Sequence, residues 1–273
     1  MLDSKNSAPP PDLRILPIDA ISPHETHDSQ RSEPLLEILR EAEYLTNPPI
    51  VAPIGDGSYV VMDGANRYHC FRELGYRHLL VQVVDYKSEF VGLGVWNHII
   101  SDWDEDIFAQ HLYEIPEATI KKAWDSNAVA QIMLKNGSVL SLDAPAATIE
   151  ERNFTLRHLV SIYQANAKLS RTALHDPTLI WPQFPAAIAL VIFPEYEPQD
   201  IIEAALNNAF LPPGVSRHII HGRALKLYYP FEKLLDMSVS LDEKNAVLQD
   251  WIREKLANRG ARYYAESTYQ FDE

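Results

Sequence analysis

The sequence has a single cysteine, Cys70, so no intramolecular disulfide can form, and a reducing, cytoplasmic compartment is expected. It has no run approaching the ~20 apolar residues a membrane helix needs, so no membrane role is expected. Basic residues are scarce: 24 Lys and Arg stand against 38 Asp and Glu, a formal net charge of -14. A chain that coats nucleic acid normally carries a basic face, so a nucleic-acid partner is disfavoured, although a local basic patch stays open. The phosphate-cradling pattern Gly-x-x-x-x-Gly-Lys-Ser/Thr does not occur. The pairs His24/His27 and His218/His221 suggest metal, but no nearby cysteine or spaced carboxylate completes a tetrahedral set. Residues 1–11 lack the apolar stretch of a signal peptide and read as a short disordered arm.

What is present suits an ordinary globular protein with room for two domains. The chain has 273 residues, 46% hydrophobic and 23% charged. Residues 13–16 read as a strand ending at Pro17, with Ile18 and Ile21 tucked inward. A polar loop over 24–31 leads to a helix start at Ser32-Glu33-Pro34. Residues 50–54 and 58–62 flank Asp56-Gly57, a strong hairpin signal. From Asn66 the spacing turns helical, with Tyr68, Cys70, Phe71 and Leu74 inward and Gly75 as the stop, before a β-branched strand over 79–84. Strand, helix, hairpin, helix, strand makes a compact α/β unit.

Residues 85–106 read as a partly helical connection. Further on come an Asn136-Gly137 hairpin, a helix over 149–169, a strand over 187–193 and a short helix over 198–208. An alternating stretch over 219–229 and a final helix over 241–258 complete the chain. The expected division is 1–11 arm, 12–108 first domain and 109–273 second, mixed α/β domain.

The stretch most telling for chemistry is Asp63-Gly64-Ala65-Asn66-Arg67-Tyr68-His69. It joins a strand to a helix start through a sharp glycine turn. Such a junction aims unpaired N–H groups at one point, and the helix dipole adds positive potential. Gly64 lets an anion approach the backbone, and Arg67 can fork onto phosphate oxygens. By itself the pattern also suits a turn glycine followed by a surface arginine.

Its context resembles the ParB/sulfiredoxin superfamily over residues 12–86. The order is Leu13-x-Ile15-x-Pro17 with Ile21, then Pro48-Pro49-Ile50-Val51, Asp56-Gly57, Asp63-Gly64-x-x-Arg67 and Leu74-Gly75. Further features resemble one branch, the free L-serine kinases: Pro23-His24-Glu25-Thr26 with Arg31, Gly94-Val95-Trp96, and Pro213-Gly214-Val215-Ser216-Arg217-His218, continuing through Gly222-Arg223. That branch includes a siderophore-locus member that makes O-phosphoserine and an archaeal ADP-dependent enzyme. The resemblance implies a ParB N-terminal/sulfiredoxin-like α/β (α+β) domain followed by a mixed α/β domain that closes the substrate cleft.

It further implies phosphoryl transfer from ATP or ADP, with Mg²⁺, to free serine, giving O-phospho-L-serine. Glu25 matches the base that takes the serine proton. Gly64, Ala65, Asn66, Arg67, Tyr68, His69 and Arg31 match the nucleotide-phosphate site. Asp63 matches a catalytic aspartate that holds Mg²⁺ or orients Arg67. Trp96, Ser216, Arg217 and His218 match the serine pocket, the last three as a polar turn. Each residue also has a plain reading: Glu25 as a loop carboxylate, Arg31 as a surface arginine, Trp96 as core, Cys70 as core rather than nucleophile. Asn66 departs from the His common in these kinases and cannot act as acid or base near neutrality. Ala65 stands where sulfiredoxins carry their cysteine, which argues against that activity. Two other readings remain: a ParB-like nucleotide-responsive DNA-binding regulator, and a degenerate member that binds nucleotide without turnover. A homodimer is left open.

Overall fold

The structure is a computed structural model that describes residues 8–264, so residues 1–7 of the expected arm lie outside the described residues. By contact density the chain forms two compact units. The first comprises residues 1–23, 27–92 and 218–273, and the second comprises 24–26 and 93–217. Among the described residues no helix is long and apolar enough to cross a membrane.

The first unit is built on a five-stranded sheet. In chain order its elements are β1 (Asp12–Pro17), β2 (Ile21–Ser22), α1 (Ser29–Glu41), β3 (Tyr44–Leu45), β4 (Ile50–Gly55), β5 (Ser58–Asp63), α2 (Ala65–Glu73) and β6 (His78–Val83). The sheet order is β1-β6-β4-β5-β2, antiparallel for β1/β6 and β4/β5 and parallel for β4/β6 and β2/β5. The β4–β5 hairpin turns through Asp56 (φ 49) and Gly57 (φ 75), the paired positive φ that a two-residue hairpin loop favours. Ile18 and Ile21 are buried as expected, and Tyr68, Cys70 and Phe71 of α2 face the core.

Helix α1 starts three residues before the Ser32-Glu33-Pro34 signal. Asp28 is its N-cap, and its carboxylate accepts a hydrogen bond from Gln30 N at 3.2 Å. Pro34 therefore lies inside the helix, on its exposed side.

The C-terminal segment completes this unit. Tyr229, Phe231, Leu234 and Leu248 join the core that contains Ile15 and Phe71. The helix Leu241–Ala257 packs along β1, which is a sheet edge. There the Asn245 amide substitutes for a missing strand: Oδ1 accepts from Ile15 N at 2.9 Å, and Nδ2 donates to Ile15 O at 2.9 Å. This pairs polar groups that an uncovered edge leaves to solvent or to another chain.

The second unit holds β7 (Val91–Val95, in part), β8 (Asn97–Ser101), α3 (Glu105–Leu112), β9 (Thr119–Lys121), β10 (Ala130–Leu134), β11 (Val139–Asp143), α4 (Ile149–Asn166), β12 (Lys168–Thr172), α5 (Pro177–Ile180), β13 (Ala187–Ile192) and α6 (Pro198–Leu206). Six strands make an antiparallel sheet in the order β12-β8-β13-β10-β11-β9. Helix α4 buries Leu156, Leu159, Val160 and Tyr163.

Three local expectations change. Residues 85–106 carry two strands, β7 and β8, with helix only from Glu105, and β8 is buried along its whole length as an interior strand between β12 and β13. Helix α4 stops at Asn166, where Ala167 turns extended, and Leu169 belongs to a strand paired with β8. The stretch after Ile219 ends its strand at Ile220, since Gly222, Lys226 and Tyr228 all take positive φ.

Replacing Asn245 by Ala removes both bonds to Ile15. The unfolding free energy in urea is expected to fall by about 2 kcal/mol. An unchanged midpoint would contradict this role for Asn245.

Candidate functional site

Strand β5 delivers Asp63 and Gly64 to the start of α2. Gly64 is the N-cap in the left-handed region (φ 91, ψ 32) and has no side chain with which to cap the first turn. The opening amides of α2 therefore have no side-chain cap, and the helix dipole leaves positive potential at this end. The Arg67 guanidinium folds back over Gly64, so close that a Cβ on Gly64 would sit 2.9 Å from its Nε and Nη2. The positive φ favours glycine here, and a Cβ would also have to push the Arg67 guanidinium off the turn.

Asp63 gathers the charge. Its Oδ2 accepts from Arg67 Nη2 at 3.0 Å and from Arg223 Nη2 at 2.7 Å. One carboxylate holding two guanidiniums leaves a net positive cluster beside an open helix N-terminus, an arrangement suited to polyvalent oxyanions. Arg223 is itself positioned from the core. The buried Gln82 of β6 donates from Nε2 to Gly222 O at 3.0 Å and accepts at Oε1 from Ala224 N at 2.8 Å. Gln82 thereby clasps the backbone on both sides of Arg223.

The other motif residues of this unit have the following surroundings. Asn66 Oδ1 accepts from Asp28 N at 2.8 Å, which ties the α1 cap to the α2 start. His69 stacks flat on His27, with ring centroids 3.6 Å apart, and burial, followed by the His27 charge, pushes its pKa down. Tyr68 is buried and donates its hydroxyl to Ile21 O at 2.6 Å. Ala65 is buried. Burial pushes the Cys70 thiol up to about 11, which fits a core residue and not a nucleophile. Arg31 is exposed in the first turn of α1 and carries no ion pair among the described residues. His218 Nε2 lies 2.8 Å from the Tyr86 hydroxyl.

In the second unit Glu25 sits in a short segment pinned to the loop after α6. Leu211 N donates to His24 O at 2.9 Å, and Thr26 N donates to Leu211 O at 2.9 Å. The Gly214 amide donates to Glu25 Oε2 at 2.9 Å. The buried His24 places Nε2 2.7 Å from Ser216 Oγ. Glu25 and Ser216 thus belong to one hydrogen-bonded assembly. Trp96 N donates to Val215 O at 2.8 Å, and the Arg217 guanidinium lies over the Trp96 ring at 4.3 Å from the centroid. Ser216, Arg217 and His218 were expected in a turn. They lie in the strand Ser216–Ile220, and the turn is formed ahead of them at Gly214 (φ 70).

No family model matches the chain. The ATP-dependent L-serine kinase SbnI of Staphylococcus aureus (strain NCTC 8325 / PS 47) is 24% identical over 266 residues, which is 94% of this chain and 96% of the relative. The structure of SbnI with a C-terminal truncation superposes with a TM-score of 0.69 at 20% identity, covering 91% of this chain and 97% of that one. A free serine kinase in complex with AMP superposes with a TM-score of 0.71 at 15% identity, covering 85% and 98%. The chain has the free serine kinase fold. Within this fold the two halves of the sequence signature come from different compact units, Asp63–His69 from the first and Glu25, Trp96, Ser216 and Arg217 from the second.

Sequence reasoning missed Arg223, Gln82 and His98. Arg223 follows Gly222 in the late motif, so it was on view, but its pairing with Asp63 joins residues 160 positions apart and leaves no local signal. Gln82 reads as one more residue of an apolar strand. His98 is fully buried in β8, with Nε2 3.0 Å from Gly214 O and Nδ1 2.7 Å from the Tyr163 hydroxyl.

Burial holds the His98 imidazole down at about 4 from its ordinary 6.5, against the Gly214 carbonyl contact that raises it. Below pH 6.5 the unfolded chain takes the proton first, so the stability from neutral His98 is full above that value and declines as pH falls toward about 4. Urea unfolding followed downward from about pH 7 should show this decline, with a shallower slope in His98→Gln. Identical slopes in the two proteins would contradict a buried neutral His98.

Proposed function

We propose that the protein is a kinase of free L-serine, transferring a phosphoryl group from ATP to the serine hydroxyl to give O-phospho-L-serine. The observation that carries the reading is the Asp63-centred pair of guanidiniums over the left-handed Gly64 turn. In this reading Arg67, Arg223 and the opening amides of α2 take the nucleotide phosphates. Phosphoryl transfer asks little covalent chemistry of a protein and much charge neutralisation and positioning, which this cluster supplies. The relatives named ATP-dependent L-serine kinase and the neighbour solved with AMP point to the same donor class and acceptor.

Glu25 is the proposed base. Serine is a poor nucleophile until a positioned group takes its proton. As the serine oxygen forms its bond to phosphorus, the bond to the leaving nucleotide oxygen breaks and the hydroxyl proton passes to the Glu25 carboxylate. Ser216 and the Trp96–Arg217 pair are assigned to serine. Arg217 suits the amino-acid carboxylate, and its guanidinium is already oriented by the indole.

Mg²⁺ belongs to the proposal as a companion of the nucleotide, neutralising phosphate charge. No group of three or more His, Cys, Asp or Glu among the described residues could hold a metal by itself. Both ion pairs of Asp63 use Oδ2, so Oδ1 fits a water of an ion held mainly by phosphate oxygens and water. A cytoplasmic location, where ATP and free serine meet, completes the reading.

Mass spectrometry of the protein incubated with serine, Mg²⁺ and ATP or ADP should show O-phosphoserine. Glu25→Gln is expected to lower its rate by at least about a hundredfold while nucleotide affinity stays within about twofold. Nucleotide binding without phosphoserine formation in the wild-type protein would overturn the kinase reading, and full turnover in Glu25→Gln would remove the base.

A further inference from the structure

The second unit contains a buried polar chain that ends on Glu25. Tyr163 of α4 and His98 of β8 are both fully buried, with the Tyr163 hydroxyl 2.7 Å from His98 Nδ1. His98 Nε2 is 3.0 Å from Gly214 O, and Gly214 N is 2.9 Å from Glu25 Oε2. The directions of these bonds follow from chemistry. A carbonyl oxygen only accepts, so His98 Nε2 carries the hydrogen, neutral His98 has a bare Nδ1, and the Tyr163 hydroxyl donates to it. The chain therefore runs one way: Tyr163 hydroxyl to His98, His98 to the Gly214 carbonyl, and the Gly214 amide to the Glu25 carboxylate.

We propose that Tyr163 and His98 are positioning residues for the Glu25 carboxylate, acting through the Gly214 peptide. The proposal rests on the reading of Glu25 as the base. A carbonyl that accepts a hydrogen bond polarises its peptide group and strengthens the N–H on the other side, so serial bonds reinforce one another. The left-handed backbone at this position favours glycine. Gly214 has φ 70, and a Cβ there would collide with the Arg171 guanidinium, which packs on the same turn. Arg171 lies opposite His98 in the β12–β8 ladder, so the turn is gripped by two adjacent residues of one sheet. Phe193 closes the His98 pocket edge-on, 5.0 Å between ring centroids. A histidine in such surroundings is expensive to bury unless both nitrogens are used, and here one nitrogen is used on the peptide that holds Glu25. A purely structural core position would be filled as well by an apolar side chain of the same size.

Folding supports the arrangement. Burial keeps His98 neutral across the physiological range and holds the Tyr163 hydroxyl protonated, so neither the tautomer nor the direction of the chain changes near neutral pH.

The test uses the full chain labelled with ¹⁵N-glycine, which gives ten amide signals, together with steady-state kinetics. In Tyr163→Phe the Gly214 amide signal should move upfield and exchange with solvent about tenfold faster, and kcat should fall about tenfold while KM for serine stays within about twofold. His98→Gln keeps a donor for the Gly214 carbonyl and an acceptor for Tyr163, so it should remain near wild type in both readouts, whereas His98→Ala should not. If His98→Ala does not fold, Tyr163→Phe and His98→Gln still decide the matter. A folded Tyr163→Phe protein with unchanged Gly214 signal and unchanged kcat overturns the positioning role. Should that occur while Glu25→Gln is inactive, the kinase reading survives and the positioning chain alone falls. If instead the Gly214 signal responds but Glu25→Gln turns over normally, the positioning of Glu25 stands and its role as base falls.

Discussion

One carboxylate oxygen organises the first unit's chemistry. Asp63 Oδ2 accepts from Arg67 and Arg223 together, and without that shared anchor two guanidiniums would repel each other across the Gly64 turn. The anchor is effective because its surroundings are fixed. Asp63 ends a central hairpin strand, Arg67 is in the first turn of the helix that follows, and Arg223 is held by backbone bonds to the buried Gln82. The turn's left-handed glycine is the price of bringing the guanidinium down onto the backbone. The result is a preorganised positive cluster, whose value for a polyphosphate lies in the reorganisation it avoids.

The second unit uses a glycine differently. At Gly64 the absent side chain makes room for a cation at a helix start. At Gly214 it makes room for Arg171 while both ends of the peptide are engaged, the amide by Glu25 and the carbonyl by His98. In both places backbone groups take part: the uncapped opening amides of α2 beside the guanidiniums, and the Gly214 peptide between Glu25 and His98. Backbone groups carry no rotamer freedom, so their placement is set by the strands and helices that flank them.

Much of this was legible in the sequence, for stated reasons. The Asp56-Gly57 and Asn136-Gly137 turns carry their own chemistry, and the hairpins they imply are present. The α2 face and the α4 stripe follow helical spacing, and their residues are buried apart from Leu74, which is half-buried at the α2 C-cap. The Gly64 turn was recognisable because a strand, a glycine and a helix start are contiguous. What was not legible depends on distant residues. Asn245 completes a strand 230 positions away, and Arg223 meets Asp63 only after the C-terminal segment returns to the first sheet. Strand β8 was misjudged because a short buried run with Gly92 and Gly94 before it has no clear period until its neighbours are known. Tyr68 and Asn66 were assigned to the phosphate site through the family motif, and their packing partners lie too far along the chain to be read from it. In the fold the Tyr68 hydroxyl donates to Ile21 O, and Asn66 Oδ1 accepts from Asp28 N.

The account turns on Asp63 holding Arg67 and Arg223 as one anion-binding unit. A double-mutant cycle of Asp63→Ala and Arg223→Ala, read by calorimetric titration with ATP and Mg²⁺, measures that dependence directly. The account predicts non-additive losses, with a coupling of about 1–2 kcal/mol, because an unanchored Arg223 contributes little to binding. Strictly additive losses, or ATP affinity unchanged in both single variants, would contradict it.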